Sequence, residues 1–209
     1  CTACRSGLRK FSRPTEMRKS KMFEDFLRQV SAQLHSLNFY FQGEPFLHPN
    51  FTDLVRRAAL YNIYTITSTN AHYLNEESAR RTIESGLDEL IISVDGITQE
   101  VYERYRVGGQ LSKVMEGTRQ ILNERKRSVS RSPYVVWQFV VFAHNESQVE
   151  EVKRLGKELG VDEVRIKTAQ IYDFEEGKSI IPANEKYSRY RKNAAGKYEI
   201  KNKLLDQCW

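Results

Sequence analysis

The sequence predicts an α/β protein built on parallel strands, and two observations carry that prediction. Short, nearly continuous apolar runs recur along the chain, and helical periodicities fill the intervals between them. Strands buried on both faces read as unbroken apolar runs, whereas half-exposed antiparallel strands alternate with polar residues. The spacing favours a barrel or an open parallel sheet, with a further strand expected before Cys1. At 209 residues the chain has the length of one ordinary α/β domain.

Taken in order, Met22, Phe23, Phe26, Leu27 and Val30 recur at helical spacing within residues 20–33. A strand is predicted over 37–41, closed by Gln42-Gly43-Glu44-Pro45, and a helix over 52–61. A second strand spans 63–67, a helix 75–85, and a third strand 89–94. Residues 98–127 read as mostly helical, interrupted at Gly108-Gly109. The most apolar strand covers 134–142, followed by a helix over 146–159 that Gly160 stops. A last strand covers 163–169. From residue 172 onward the chain is polar, Lys-rich and weakly periodic, which reads as a linker.

Composition narrows the functional classes. No window approaches the roughly 18 apolar residues of a membrane span, so no membrane partner is expected. The formal charge is +6, with basic residues crowded into 5–21 and again at Arg125, Lys126, Arg127 and Arg131. Neither cluster interleaves aromatics or matches a nucleic-acid motif, so a nucleic-acid partner is not expected. A solvated loop and a helix end explain both, and the basic balance leans toward an acidic or phosphorylated substrate. Three cysteines exclude a dense disulfide framework and point to metal or redox chemistry.

Polar residues close every strand, where parallel α/β folds gather their ligands. They are Gln42, Gly43 and Glu44; Ser68, Thr69 and Asn70; Ser93, Asp95 and Gly96; His144 and Asn145; and Thr168 and Gln170. Turns favour the same residue types. Gln138 and Lys167 lie inside apolar strands, where a buried amide costs about 1–3 kcal/mol unless something satisfies it. A polar ligand, a neighbouring side chain or water would do so. Cys1-x-x-Cys4 suits half a zinc site, a redox pair or part of an iron–sulfur ligand set. A basic loop follows it rather than a helix, which speaks against the redox pair. His35, His48, His72 and His144 show no zinc spacing and read as turn, surface or packed residues.

Together these residues resemble the radical S-adenosylmethionine (SAM) enzymes, in the branch that carries a C-terminal SPASM or related extension. Cys1 and Cys4 are similar to the second and third cysteines of the family's Cys-x-x-x-Cys-x-x-Cys; the first would lie four residues before Cys1. Gln42-Gly43-Glu44-Pro45 resembles Gly-Gly-Glu-Pro, with Gln42 in place of the first glycine. Ser68-Thr69-Asn70-Ala71 resembles Thr-Asn-Gly, and Ser93-Val94-Asp95-Gly96 resembles Ser-x-Asp-Gly. Tyr102-x-x-Tyr105-Arg106-Val107-Gly108-Gly109 is similar to the SPASM-bearing branch, and Cys208-Trp209 to the opening of the SPASM region.

The resemblance implies a partial (β/α)6 TIM-like barrel over residues 1–170, its first strand truncated. Residues 171–209 would be a linker and the start of a truncated SPASM-type auxiliary-cluster domain. It implies a 4Fe–4S cluster held by Cys1 and Cys4, SAM on the open iron, and auxiliary clusters beginning at Cys208. SAM would contact Gln42, Gly43, Glu44, Pro45, Asn70, Ser93, Asp95, Gln138 and Lys167. Reductive cleavage of SAM would yield a 5′-deoxyadenosyl radical that abstracts hydrogen from a peptide or small-molecule substrate. An electron donor such as flavodoxin or ferredoxin and a cytoplasmic, oxygen-poor setting follow from the same resemblance. With two of three cluster thiolates, the chain is expected to hold its cluster poorly. The competing expectation is a non-catalytic scaffold on a degenerate barrel, because Gln42 and Ala71 depart from the family pattern. A zinc-binding barrel is a more distant alternative.

Overall fold

Five parallel strands lie side by side in the order in which the chain makes them: β1 (Ser36–Asn38), β2 (Tyr64–Thr69), β3 (Glu89–Ser93), β4 (Tyr134–Val141) and β5 (Glu163–Thr168). Our computed structural model describes residues 20–41, 43–171, 174–175 and 179–202. Cys1, Cys4, Cys208 and Gln42 lie outside the described residues, and so do the expectations that rest on them. Six helices accompany the described strands: α1 (Ser20–Val30), α2 (Phe51–Ala59), α3 (Glu76–Glu84), α4 (Gln99–Tyr105), α5 (Leu111–Arg127) and α6 (Val149–Leu159).

Helices α2 to α6 share one core with one face of the sheet, while α1 packs Phe23 and Leu27 on Leu54 and Ala58 of α2 in a smaller cluster. Val55 of α2, Ala79 of α3, Val114 and Ile121 of α5, and Val152 of α6 pack with Leu90, Ile92, Val135, Trp137 and Phe139. Sequential strand order with the crossover helices on a single face is the winding of a TIM-like barrel; a doubly wound sheet reverses its order and buries both faces. The expected partial barrel with parallel strands is therefore what the chain forms. Trp137 is fully buried and donates its Nε1–H to Thr118 Oγ1 at 3.1 Å, so the largest core side chain is satisfied in its polar part as well.

Local chemistry explains the element ends. Asn75 caps α3 through a reciprocal pair with Ser78, each side chain accepting from the other's backbone N–H at 2.9 Å. The long helical stretch is split into α4 and α5, and Gly108 takes φ +73° at the break. Gly160 closes α6 at φ +86°.

Two elements differ from the sequence pattern. The first strand ends at Asn38 rather than Phe41, because Phe41 is 85% exposed and has no sheet to pack on. The polar C-terminal stretch holds an antiparallel hairpin, β6 (Tyr190–Lys192) and β7 (Tyr198–Ile200). Tyr190 joins Phe142, Ala169, Ile171 and Ile181 in a separate apolar cluster beyond the ends of β4 and β5. Its hydroxyl accepts from Ile171 N at 2.7 Å and donates to Ile171 O at 3.0 Å.

Candidate active site at the strand ends

Strand alternation decides which side chains face away from the helices. Ile92 and Trp137 belong to the helix-packed core, so their neighbours Ser93 and Gln138, paired in register, point to the open face. By the same alternation Ser68 lies beside Ile91, Arg165 beside Gln138, and Lys167 beside Val140. The open face thus carries polar groups toward the carboxyl ends of the strands.

Glu44 anchors one side of this edge. Gly43 adopts φ +88°, a left-handed conformation that glycine takes without strain, and turns the chain so that Glu44 caps the short 3-10 turn Pro45–Leu47. Glu44 Oε1 accepts from Thr69 Oγ1 at 2.8 Å and from Phe46 N at 3.2 Å, and Oε2 accepts from Asn70 N at 2.8 Å. Burial pushes its carboxyl above the ordinary value, against the pull of these three hydrogen bonds and of Arg106. The carboxylate therefore welds the loop after β1 to the end of β2.

Beyond it, Asn70 Oδ1 accepts from His72 N at 2.9 Å, the side chain bonding its own loop two residues on. Ala71 takes φ +61°, so the position where the family pattern has glycine keeps a glycine-like backbone. Ser93 is nearly buried and Gln138 half-buried, and among the described residues neither side chain has a hydrogen-bond partner. Lys167 is exposed one step further along β5 and likewise has no ion pair among the described residues. Below it, Arg165 is held by Glu163 at 2.7 Å and Glu89 at 3.0 Å, so its charge is already answered.

Asp95, just beyond the end of β3, is engaged by protein groups. It is fully buried; Oδ2 accepts from Arg106 Nε at 2.6 Å and Oδ1 from Val140 N at 2.9 Å. A carboxylate deprived of water needs such partners to offset the loss of its hydration. Asn145 completes the lock, donating to Asp95 O at 2.9 Å and Val140 O at 3.0 Å while accepting from Phe142 N at 2.7 Å. Sequence reading named Asn145 and Arg106 only as strand-end and motif residues and missed this joint task. The available signal was an Asp and an Arg bracketing one short helix.

Other expectations fall out simply. His72 is spent on structure: Nδ1–H donates to Asn70 O at 2.9 Å, and Nε2 accepts from Gln110 N at 2.8 Å. No group of three or more His, Cys, Asp or Glu side chains gathers to hold a metal among the described residues. Arg125 pairs with Asp162, and Arg127 with Glu124 at 2.6 Å, so this basic cluster is a partly neutralised helix end. Among the described residues no helix is long and apolar enough to cross a membrane.

The family model of the Radical SAM superfamily matches residues 1–156. The chain is 29% identical over 147 residues to the PqqA peptide cyclase of Gluconobacter oxydans, covering 69% of this chain and 39% of that protein. Among solved structures, Streptococcus suis SuiB bound to S-adenosylmethionine matches with a TM-score of 0.66 at 14% identity, over 82% of this chain and 38% of that one. SuiB bound to its precursor peptide SuiA matches with a TM-score of 0.62 at 14% identity, over 75% and 34%. At such identity the structural likeness speaks for the fold. The chain spans less than half the length of each of these proteins.

Proposed function

The chain belongs to the radical SAM superfamily, and we propose that its protein binds SAM at a 4Fe–4S cluster and abstracts hydrogen from a peptide. The family implies the cluster and SAM. The observation that carries the site is the pairing of Ser93 with Gln138 on the open face, both without side-chain partners among the described residues. Hydroxyl and amide groups held this way fit the hydroxyls and carboxylate of a nucleoside–amino acid conjugate such as SAM.

On this reading Gly43, Glu44 and Pro45 offer acceptors to the SAM ammonium, with Gln42 beside them. Asn70, Ser93 and Gln138 bond the ribose and the methionine carboxylate, and Lys167 answers that carboxylate or a substrate group. Asp95 acts from behind, holding Arg106 and the end of β4 in place. Cys1 and Cys4 supply cluster thiolates, and Cys208 opens an auxiliary cluster at the start of a SPASM-type region, residues 171–209 being the linker and that start. When bound, cluster and SAM together supply a one-electron cleavage that delivers a 5′-deoxyadenosyl radical to the substrate. The electron comes from a flavodoxin- or ferredoxin-type donor.

A peptide substrate is supported by two of the relatives, one named a peptide cyclase and the other solved with its precursor peptide. The test is 5′-deoxyadenosine released by the intact protein, reconstituted without oxygen and reduced in the presence of SAM, against Cys4→Ala. Release that requires Cys4, and that rises with a peptide from a candidate set, is the expected result. A fully loaded cluster that binds SAM yet releases none under every peptide would overturn the reading and leave a non-catalytic barrel.

A further inference from the structure

A recess between the start of α2 and α3 takes no part in the proposed SAM site. Phe46, His48 and Pro49 from the loop after β1, Phe51 and Thr52 from α2, and Arg81 from α3 enclose about 170 Å³. That volume takes one amino-acid side chain. Arg81 is half-buried, and its Nη2 donates to Thr52 Oγ1 at 3.1 Å across 29 residues of sequence. One of the five N–H donors of a guanidinium is thereby spent, and no carboxylate pairs with Arg81 among the described residues.

The acidic residues around it are committed elsewhere. Glu77 and Glu84 of α3 both pair with Arg80 at 2.9 Å, and Glu76 pairs with Arg127 at 3.5 Å. Asp53 of α2 pairs with Arg56 at 2.7 Å. Glu77, one turn before Arg81, is held below its ordinary value by Arg80 first and by Arg81 least. No acidic residue lines the recess itself. A partly desolvated cation without a counter-charge is costly, and an anion that reaches it offsets that cost.

Thr52 adds a second donor. It is 5% exposed, its oxygen accepts from Arg81, and its own hydrogen has no acceptor among the described residues. Ser78, also on the wall, is spent, donating to Tyr73 O at 2.8 Å and accepting from Asn75 N at 2.9 Å. The remaining walls are apolar: the Phe46 and Phe51 rings meet with centroids 5.0 Å apart, and Pro49 closes the side. Such walls suit a methylene stem. A single planar cation matches the one charge of a carboxylate, which it can hold through two parallel N–H···O bonds. A phosphate near its second charge asks for more than Arg81 alone supplies. Glu44 accepts from Phe46 N at 3.2 Å, so the turn that lines this recess is the turn Glu44 caps at the edge of the proposed SAM site.

We infer that this recess docks an acidic side chain of the peptide substrate among the outer helices, as an anchor separate from the residue that reacts at the barrel mouth. The inference rests on the proposed peptide substrate only for the carrier of the carboxylate. The test uses the 209-residue chain, labelled with 15N, and follows the Arg81 Nε–H and the Phe46 and Thr52 amides. Three probes are titrated: acetyl-Ala-Glu-Ala-amide, acetyl-Ala-Gln-Ala-amide and inorganic phosphate.

Saturable shifts with the Glu peptide, none with the Gln peptide and weaker ones with phosphate are expected. Arg81→Gln is expected to weaken Glu-peptide binding at least about tenfold, the usual loss for a hydrogen bond to a charged group, and Thr52→Val by several-fold. Glu77→Gln changes a residue whose side chain is 65% exposed, so folding tolerates it. It removes an opposing charge and is expected to tighten binding about twofold. Equal shifts with the Gln peptide, no saturation with the Glu peptide, tighter binding of phosphate, or indifference to all three substitutions would overturn the inference. The 5′-deoxyadenosine assay on the intact protein keeps the two readings apart. Glu-peptide binding without any peptide-dependent release defeats the proposed activity and leaves the recess. Peptide-dependent release that is indifferent to Arg81→Gln and to the acidic residue of the peptide defeats the recess alone.

Discussion

The Glu44 carboxylate receives the backbone N–H of Asn70 at 2.8 Å, joining two loops that are 26 residues apart in sequence. Because burial holds this carboxyl above its ordinary value of 4.5, the folded state binds its proton more tightly than the unfolded chain does. Stability linked to that proton is complete below 4.5 and is lost as pH rises through the raised folded value. Thermal melts of the wild type and Glu44→Gln across that window should therefore show the wild type gaining on the variant as pH falls. A constant gap would mean that Glu44 does not titrate as placed.

Asp95→Asn should unfold the chain more easily by about 3 kcal/mol, since it leaves Arg106 enclosed without its counter-charge. Urea denaturation reads this directly. Arg80→Ala, which removes surface pairs to Glu77 and Glu84, should leave the midpoint unmoved.

Gln138→Leu separates binding from stability. Its amide holds no partner among the described residues, so the denaturation midpoint should move by less than about 0.5 kcal/mol. SAM affinity of the reconstituted protein, measured by calorimetry, should fall roughly tenfold. A large loss of stability would show the amide to be structural.

Gly156→Ala tests the seam between α6 and the sheet. An added Cβ would come within 2.4 Å of Val164 Cγ2 and 3.3 Å of Trp137 Cε3. Overpacking of this kind costs about 1–3 kcal/mol, which for a chain of this size lowers the melting temperature by roughly 2–4 °C per kcal/mol.

The sheet was legible where its central strands are buried on both faces: Leu90, Ile91 and Ile92 of β3, and Val135, Val136 and Trp137 of β4, admit no polar residue. The first strand was overextended because Tyr40 and Phe41 are aromatic, and aromatic residues look alike in a strand and on an exposed turn. The hairpin at Tyr190–Ile200 escaped notice because three-residue strands are too short for a period. Asn193, whose Oδ1 accepts from the backbone N–H of Ala195 and Lys197, and Gly196, at φ +75°, were the turn signals there. At the site, polar strand ends located the right edge of the sheet. They did not separate Ser93, whose hydroxyl has no partner among the described residues, from Asp95, whose carboxylate accepts from Arg106 and Val140. That difference depends on Arg106 folding back from beyond α4, a tertiary contact with no local pattern.

The Asn145 clamp addresses its neighbours through main-chain atoms alone: the carbonyls of Asp95 and Val140 and the N–H of Phe142. A fastening made to backbone is indifferent to the side chains borne by the residues it fastens. Position 145 is thus tightly constrained, whereas His144 is tied in through its side chain, its ring stacked on Phe142 with centroids 5.6 Å apart. The end of β4 is thereby tied to the chain beyond β3 twice over, once through the Asp95 carboxylate and once through its main-chain carbonyl.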